Sequence, residues 1–300
     1  MKDVFVVSQE VRRALEAHRP VVALESTIIT HGFPYPANLE CALEAERVAR
    51  EEGAVPATVG VVGGVLTVGM GRSDIERFAS AGDVAKASRR DLPVLAARGV
   101  DGGTTVAATM VAAALAGIRV FATGGIGGVH RGAERTLDVS ADLEELSRSD
   151  VAVVCAGAKS VLDIGLTLEY LETAGVPVLG YRTDEFPAFY TPSSGFAVPH
   201  RIESAAEIAA VINAKRGLGL AGGVVVANPI EERHALDPAE IEAITTEALE
   251  EAARAHVTGK DVTPFLLARI HEKTGGASEE ANRQLVYANV RLAARIAAAL

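Results

Sequence analysis

Val151-Ala-Val-Val-Cys-Ala-Gly-Ala-Lys159-Ser160 is an apolar run that closes in small residues and then delivers a single amine. It is short, rich in valine and bounded by a glycine turn, which predicts a buried strand. Ligands of open α/β sheets gather at the carboxyl ends of strands, so Lys159 stands where one would be met. A partly desolvated lysine can lose its proton and attack a carbonyl to form a Schiff base. Taken alone, the segment reads more plainly as a solvated lysine capping a turn.

Outward from this run the chain alternates between strands and helices. Residues 8–18 read as a helix and Pro20–Glu25 as a strand, followed by a loop over 26–36. Asn38–Glu52 has apolar residues near helical spacing, with Gly53 as its stop. Residues 57–62 and 65–70 form two strands around the turn signal Gly63-Gly64. Ser73–Ala81 reads as a short helix capped by Ser73, and Thr104–Leu115 as a small-residue helix. Strands follow at 120–123, 151–155, 176–181 and 223–227, with helices between them and two more at 263–273 and 279–299. This alternation predicts an α/β sheet covered by helices on both faces, and one domain spanning 1–300.

The 300 residues are 49% hydrophobic but only 4% aromatic, with no Trp, so Ala, Val, Leu and Ile must build the core. A net charge of −10 argues against a general nucleic-acid binder. It leaves room for a phosphorylated small substrate, which needs only local cations and backbone amides. Two cysteines, Cys41 and Cys155, cannot make a disulfide framework. The N-terminus lacks a signal-peptide pattern, and the tract Val106–Ile118 is too short to span a bilayer. A soluble, cytoplasmic protein is expected.

Glycine clusters invite a nucleotide-binding reading that the residues do not sustain. Gly125-Ile-Gly-Gly-Val-His130 carries His at the third glycine position of the dinucleotide fingerprint. Gly157-Ala-Lys-Ser160 has Ala158 where a phosphate-binding loop requires Gly. Paired metalloprotease histidines and a Gly-x-Ser-x-Gly elbow are absent from the sequence.

Four loops concentrate reactive residue types. Glu25 follows an apolar strand, where burial would raise its pKa and suit it to acid/base work; a strand-end glutamate facing water is the plainer reading. Lys86-Ala-Ser-Arg-Arg-Asp91 offers cations and a hydroxyl to a phosphate, or is a solvated helix face. Thr123-Gly-Gly-Ile-Gly-Gly-Val-His-Arg-Gly132 lets backbone amides approach an anion, with His130 as phosphate donor or proton carrier. In Asp138-Val-Ser-Ala-Asp142, Ser140 or Asp138 caps a helix, while Asp142 suits a hard divalent cation that keeps several waters. Gly259-Lys-Asp-Val-Thr-Pro-Phe265 reads as a loop capped into a helix by Thr263, with Pro264 in the first turn. Asn282, near the start of the last helix, is either polar surface or the reader of a nucleobase edge.

Taken together these strings resemble the pseudouridine-5′-phosphate glycosidase family. The segments that carry the resemblance are Ala23–Pro36, Lys86–Asp91, Thr104–Met110, Phe121–Gly132, Asp138–Asp142, Val154–Ser160, Gly180–Phe189 and Gly259–Phe265, in order along nearly the whole chain.

The resemblance implies a reversible lyase reaction (EC 4.2.1.70) in which pseudouridine 5′-phosphate and water give uracil and ribose 5-phosphate. It implies Lys159 as the Schiff-base lysine and Glu25 as the acid/base. It also implies Asp142 at a manganese ion, and Lys86, Thr105, Val106, His130, Ser140 and Asn282 at the substrate. A homotrimer with an α/β/α layered fold and a mixed, mostly parallel sheet is expected, with neither a nucleic-acid polymer nor a membrane as partner.

Two rival functions use the same residues. An aldolase-like lyase would also need Lys159 and the phosphate loops. A non-catalytic sugar-phosphate sensor would bind without turnover, although no DNA-binding module or basic arm is visible in the sequence.

Overall fold

A computed structural model describes residues 4–257, 259 and 262–300. In chain order the strands are β1 Phe5–Val7, β2 Val21–Leu24, β3 Val55–Val62, β4 Val65–Val68, β5 Ala85–Ala87, β6 Gly102–Thr104, β7 Val120–Ala122, β8 Val129–His130, β9 Ala152–Cys155, β10 Leu162–Asp163, β11 Val178–Tyr181, β12 His200–Ile202 and β13 Val224–Ala227. Among the described residues, eleven of them form one sheet, ordered β1-β4-β3-β2-β7-β9-β13-β11-β12. β6 pairs with β3, and β5 with β6, while β8 and β10 make a separate ribbon.

The central strands β2, β9 and β13 are buried at every position. Their apolar runs are continuous rather than alternating because helices cover both faces. From β3 through β2, β7, β9, β13 and β11 to β12 every pairing is parallel. Antiparallel pairs join β3 to β4 and β3 to β6, so the sheet is mixed and mostly parallel.

The helices Ala37–Glu51, Ala205–Gly217 and Ala277–Ala299 pack together, the last lying over β2, β7 and β9. The helix Val106–Ala116 also touches β2 and β7 and packs on the helix Ala141–Arg148, which places these two on the opposite face. Val, Ala, Leu and Ile dominate the core, and Phe78, Phe121, Phe186 and Phe189 are buried with them. Full burial of a side chain such as Phe121 contributes about 1.5–3 kcal/mol.

The path of the chain creates a crevice. β2 leads through Ala37–Glu51 to β3 on one side, and its other neighbour, β7, leads through Ala141–Arg148 to β9. The two connections diverge between β2 and β7, and at such a point the carboxyl ends of the strands open into a cleft.

Several local expectations shift. The loop 26–36 contains a π-helical turn, Ile28–Gly32. Ser73 lies inside the helix Arg72–Ser80, whose cap position is Gly71. Thr104 ends β6 instead of opening a helix, and Thr105 is the cap of Val106–Ala116. A long helix, Pro238–Arg254, capped by Asp237, precedes the two expected at the end of the chain. Thr263 lies within the helix Val262–Lys273, not at its cap. Lys260 and Asp261, part of the loop expected there, lie outside the described residues, as do Met1–Asp3 at the N-terminus. Gly63 and Gly64 both have positive φ, 56° and 83°, and close the β3–β4 hairpin. Among the described residues no helix is long and apolar enough to cross a membrane.

Candidate active site

A cavity of about 680 Å³ opens at the β2/β7 divergence, and all nine sequence-derived site residues line it: Glu25, Lys86, Thr105, Val106, His130, Ser140, Asp142, Lys159 and Asn282. They arrive from seven places in the chain, so it is the fold that brings them together.

Glu25 is the first residue beyond β2, and Thr123 the first beyond the adjacent β7. The Thr123 hydroxyl donates to Glu25 Oε1. Burial pushes the Glu25 carboxyl up from the ordinary glutamate value. The Lys159 charge and the Thr123 bond oppose that shift, Asp142 adds to it and Lys86 opposes it. The following residue, Ser26, is fully buried; its hydroxyl accepts from the Thr104 N–H at 2.9 Å and tethers the end of β2 to β6.

Lys159 stands four residues beyond β9. Its backbone N–H donates to the Ile126 carbonyl at 3.1 Å, and its Nζ donates to the Gly125 carbonyl at 2.8 Å. The amine is therefore held against the glycine-rich loop that follows β7. That loop needs its glycines. A Cβ on Gly127 would stand 2.1 Å from Ser140 Oγ and 2.7 Å from Asp142 Oδ2, and one on Gly125 would stand 2.6 Å from the Phe189 ring.

Ser140 caps the helix Ala141–Arg148, accepting from the Asp142 N–H at 3.2 Å. The buried Asp142 carboxylate takes the Ala107 N–H on Oδ1 and the Gly127 N–H on Oδ2, each at 2.8 Å. It thereby pins the start of Val106–Ala116 to the glycine loop. Val106, a buried residue at the cavity wall, opens that helix, and the first N–H groups of a helix lack intrahelical acceptors. Thr105 caps that helix with its hydroxyl, at 3.4 Å from the Ala108 N–H.

Lys86 lies on β5, opposite Gly103. The motif after it is not a helix face: Ser88 and Asp91 form a reciprocal capping box around the turn Arg89–Asp91. His130 is half-buried on β8. Burial lowers its pKa, as do Lys86 and Lys159, against the opposing charge of Asp138, so the imidazole is neutral near pH 7. Asn282 is buried, and its Oδ1 finds no hydrogen-bond partner among the described residues. The residue lines the cavity, and a buried acceptor left without a partner is suited to a ligand N–H that reaches it.

Asp138 and Asp142 differ as cation ligands. Each Asp142 oxygen already accepts one backbone N–H. The Asp138 carboxylate lines the same cavity and makes no hydrogen bond or ion pair among the described residues. No cluster of three or more His, Cys, Asp or Glu is placed to enclose a metal among the described residues. The donors present therefore suit a hard divalent ion that keeps several waters, not a closed protein cage.

Thr123, Phe189 and Leu267 also line the cavity and had no role in the sequence reading. Thr123 carried a usable signal, since it follows its strand as Glu25 follows β2. Cys155 is a buried hydrophobe, as expected, its thiol pushed up to about 12 by burial.

Residues 10–299 match the family model described as "Indigoidine synthase A like protein". The chain is 60% identical over 301 residues to the pseudouridine-5′-phosphate glycosidase of Sorangium cellulosum, covering 100% of this chain and 95% of that protein. It is 56% identical over 294 residues to the enzyme of the same name from Caldanaerobacter subterraneus subsp. tengcongensis, covering 98% and 96%. Among solved structures it resembles a prealnumycin C-glycosynthase in complex with ribulose 5-phosphate, with a TM-score of 0.92 and 43% identity, covering 100% of this chain and 98% of that one. It also resembles an indigoidine synthase A-like protein from Thermotoga maritima, with a TM-score of 0.90 and 35% identity, covering 99% and 96%.

Proposed function

The chain belongs to the pseudouridine-5′-phosphate glycosidase (indigoidine synthase A-like) family, EC 4.2.1.70, and from that membership we propose that it joins and cleaves uracil and ribose 5-phosphate through a Schiff base on Lys159. The carrying observation is that the Lys159 amine and the Glu25 carboxyl, 134 residues apart in sequence, are both held by the single segment Thr123–Gly125.

The chemistry explains why an amine is needed. Glycosidases acting on oxygen-linked sugars protonate the leaving oxygen with one carboxylic acid and use a second carboxylate as nucleophile or base. A carbon leaving group has no such lone pair, so the sugar carbon must become an electron sink. In the joining direction, Lys159 Nζ attacks the C1 aldehyde of open-chain ribose 5-phosphate, and water leaves to give an iminium. C5 of uracil attacks the iminium carbon, forming the carbon–carbon bond, and its C5 proton passes to Glu25. The sugar's O4 hydroxyl then bonds to C1 as the C1–Nζ bond breaks, its proton passing to the departing lysine amine, and the ring closes. Cleavage is the reverse, with protonated Glu25 returning the proton to C5, a role that its raised pKa favours.

Lys86, Arg89 and the Val106 N–H at the start of Val106–Ala116 suit the phosphate. Holding the sugar in place supplies orientation. Neutral His130 and the cap hydroxyls of Thr105 and Ser140 suit the sugar hydroxyls, and Asn282 Oδ1 suits a uracil N–H. A manganese ion would be held by Asp138 with Asp142 behind it, and when bound would supply positive charge and ordered water. The C-glycosynthase of like structure holds ribulose 5-phosphate, a sugar phosphate that cannot close to a furanose, which supports an open-chain sugar in this cavity. From the family resemblance we carry the reading to a cytoplasmic homotrimer of single-domain protomers, which light scattering of the purified protein checks.

The deciding experiment incubates the protein with uracil, ribose 5-phosphate and manganese, follows pseudouridine 5′-phosphate by mass detection, and reduces a parallel sample with borohydride. Product, together with a ribitol-phosphate adduct on Lys159 that is lost in Lys159→Ala, is expected. Near-normal turnover by Lys159→Ala would end the covalent scheme.

A further inference from the structure

Asn289 is fully buried in the helix Ala277–Ala299, seven positions after Asn282 and so on the same face. It sits behind the cavity wall. Its Nδ2 donates to the Thr123 carbonyl at 2.8 Å and to the Gly124 carbonyl at 3.3 Å. Its Oδ1 accepts from Asn228 Nδ2 at 2.9 Å. Asn228 follows β13, and its backbone N–H donates to the Cys155 carbonyl at 2.8 Å, at the end of β9. The two amides thus link the ends of β7, β9 and β13.

A buried amide on a face otherwise packed with Leu285, Val286, Leu292 and Ala293 costs free energy unless its bonds serve a purpose. The segment that Asn289 grips holds both reacting groups, Thr123 binding the Glu25 carboxyl and the Gly125 carbonyl binding Lys159 Nζ. We propose that Asn289 is a positioning residue: by fixing the Thr123 and Gly124 carbonyls it sets where Glu25 and Lys159 stand relative to each other. The proposal rests on the roles assigned above to those two groups.

The test compares Asn289→Leu and Asn289→Asp with the parent enzyme, reading kcat, KM for ribose 5-phosphate, the rate of borohydride-trapped adduct formation, and Tm. Folded variants are expected to lose about tenfold to a hundredfold in kcat and in trapping rate, with KM within about threefold. If Asn289→Leu does not fold, Asn228→Ala, which removes only the outer partner, is expected to show a smaller kcat loss at unchanged KM. A second check is non-additivity: combined with Thr123→Val, Asn289→Leu should cost less than the product of the separate losses, because both act on one segment. A lower Tm with parental kcat and trapping rate would overturn the proposal, reducing Asn289 to packing. Absence of any trapped adduct in an active parent would instead overturn the lysine assignment, and the proposal with it.

Discussion

Thr123 and Glu25 stand at the carboxyl ends of adjacent parallel strands, and the threonine hydroxyl donates to the glutamate Oε1. Burial outweighs this bond and the attraction of Lys159, so the carboxyl titrates above its ordinary 4.5. Between 4.5 and that raised value the native state keeps a proton that the unfolded chain has released. Stability conferred at acid pH is therefore lost as pH rises through this window. Glu25→Gln removes the titration. The variant should gain Tm relative to the parent above the window and gain nothing below it, while losing about 10²–10⁴-fold in turnover. A Tm difference that does not vary with pH would contradict the buried-acid reading.

The two aspartates flanking Ser140 should separate by experiment. Asp138→Asn removes a carboxylate without hydrogen-bond partners among the described residues and should weaken manganese binding, read by calorimetric titration, with little change in Tm. Asp142→Asn places an amide NH₂ against the N–H of Ala107 or Gly127, so it should cost about 1–3 kcal/mol of stability. Parental stability in Asp142→Asn, with manganese affinity lost only there, would reverse the assignment.

Arg89 Nη1 reaches the Glu145 carboxylate at 2.5 Å, and Glu145 is 1% exposed. The other Glu145 oxygen accepts from Ser149 Oγ at 2.5 Å. The buried carboxylate holds the guanidinium of Arg89, a residue that lines the cavity. Glu145→Gln should cost about 1–3 kcal/mol, discounted toward the lower figure because Arg89 is half exposed. It should also raise KM for ribose 5-phosphate about tenfold while sparing kcat. A change in kcat at constant KM would place Arg89 away from the phosphate.

What could be read from the chain follows from how local each signal is. Val21–Leu24, Ala152–Cys155 and Val224–Ala227 are apolar at every position, and a buried parallel strand needs just that, so the strands and the reactive residues after them were legible. β5 and β6 were not. Ala-Lys-Ala and Gly-Gly-Thr have little strand propensity, and Gly103 is there because a Cβ would stand 2.3 Å from Thr30 Oγ1. Of the readings of Asp138–Asp142, the capping one is met by Ser140, while Asp142 clamps backbone at the cavity, a role that no local pattern announced. Asn289 left one trace, a polar residue in an apolar register two turns after Asn282. Its partner Thr123 lies 166 positions away, and nothing in sequence joins them.

The helix Ala277–Ala299 bears on how the enzyme comes into being. Domains emerging from a ribosome fold as units as their segments become available. The strands bearing Glu25, Thr123 and Lys159 are made more than a hundred residues before this helix, and they can pair while it is still unsynthesised. Until it docks, no Asn282 faces the cavity and no Asn289 grips the loop after β7. On the roles proposed above, a nascent chain carries Lys159 and Glu25 before the contact that aligns them. The site is whole only once the last helix lies over the sheet.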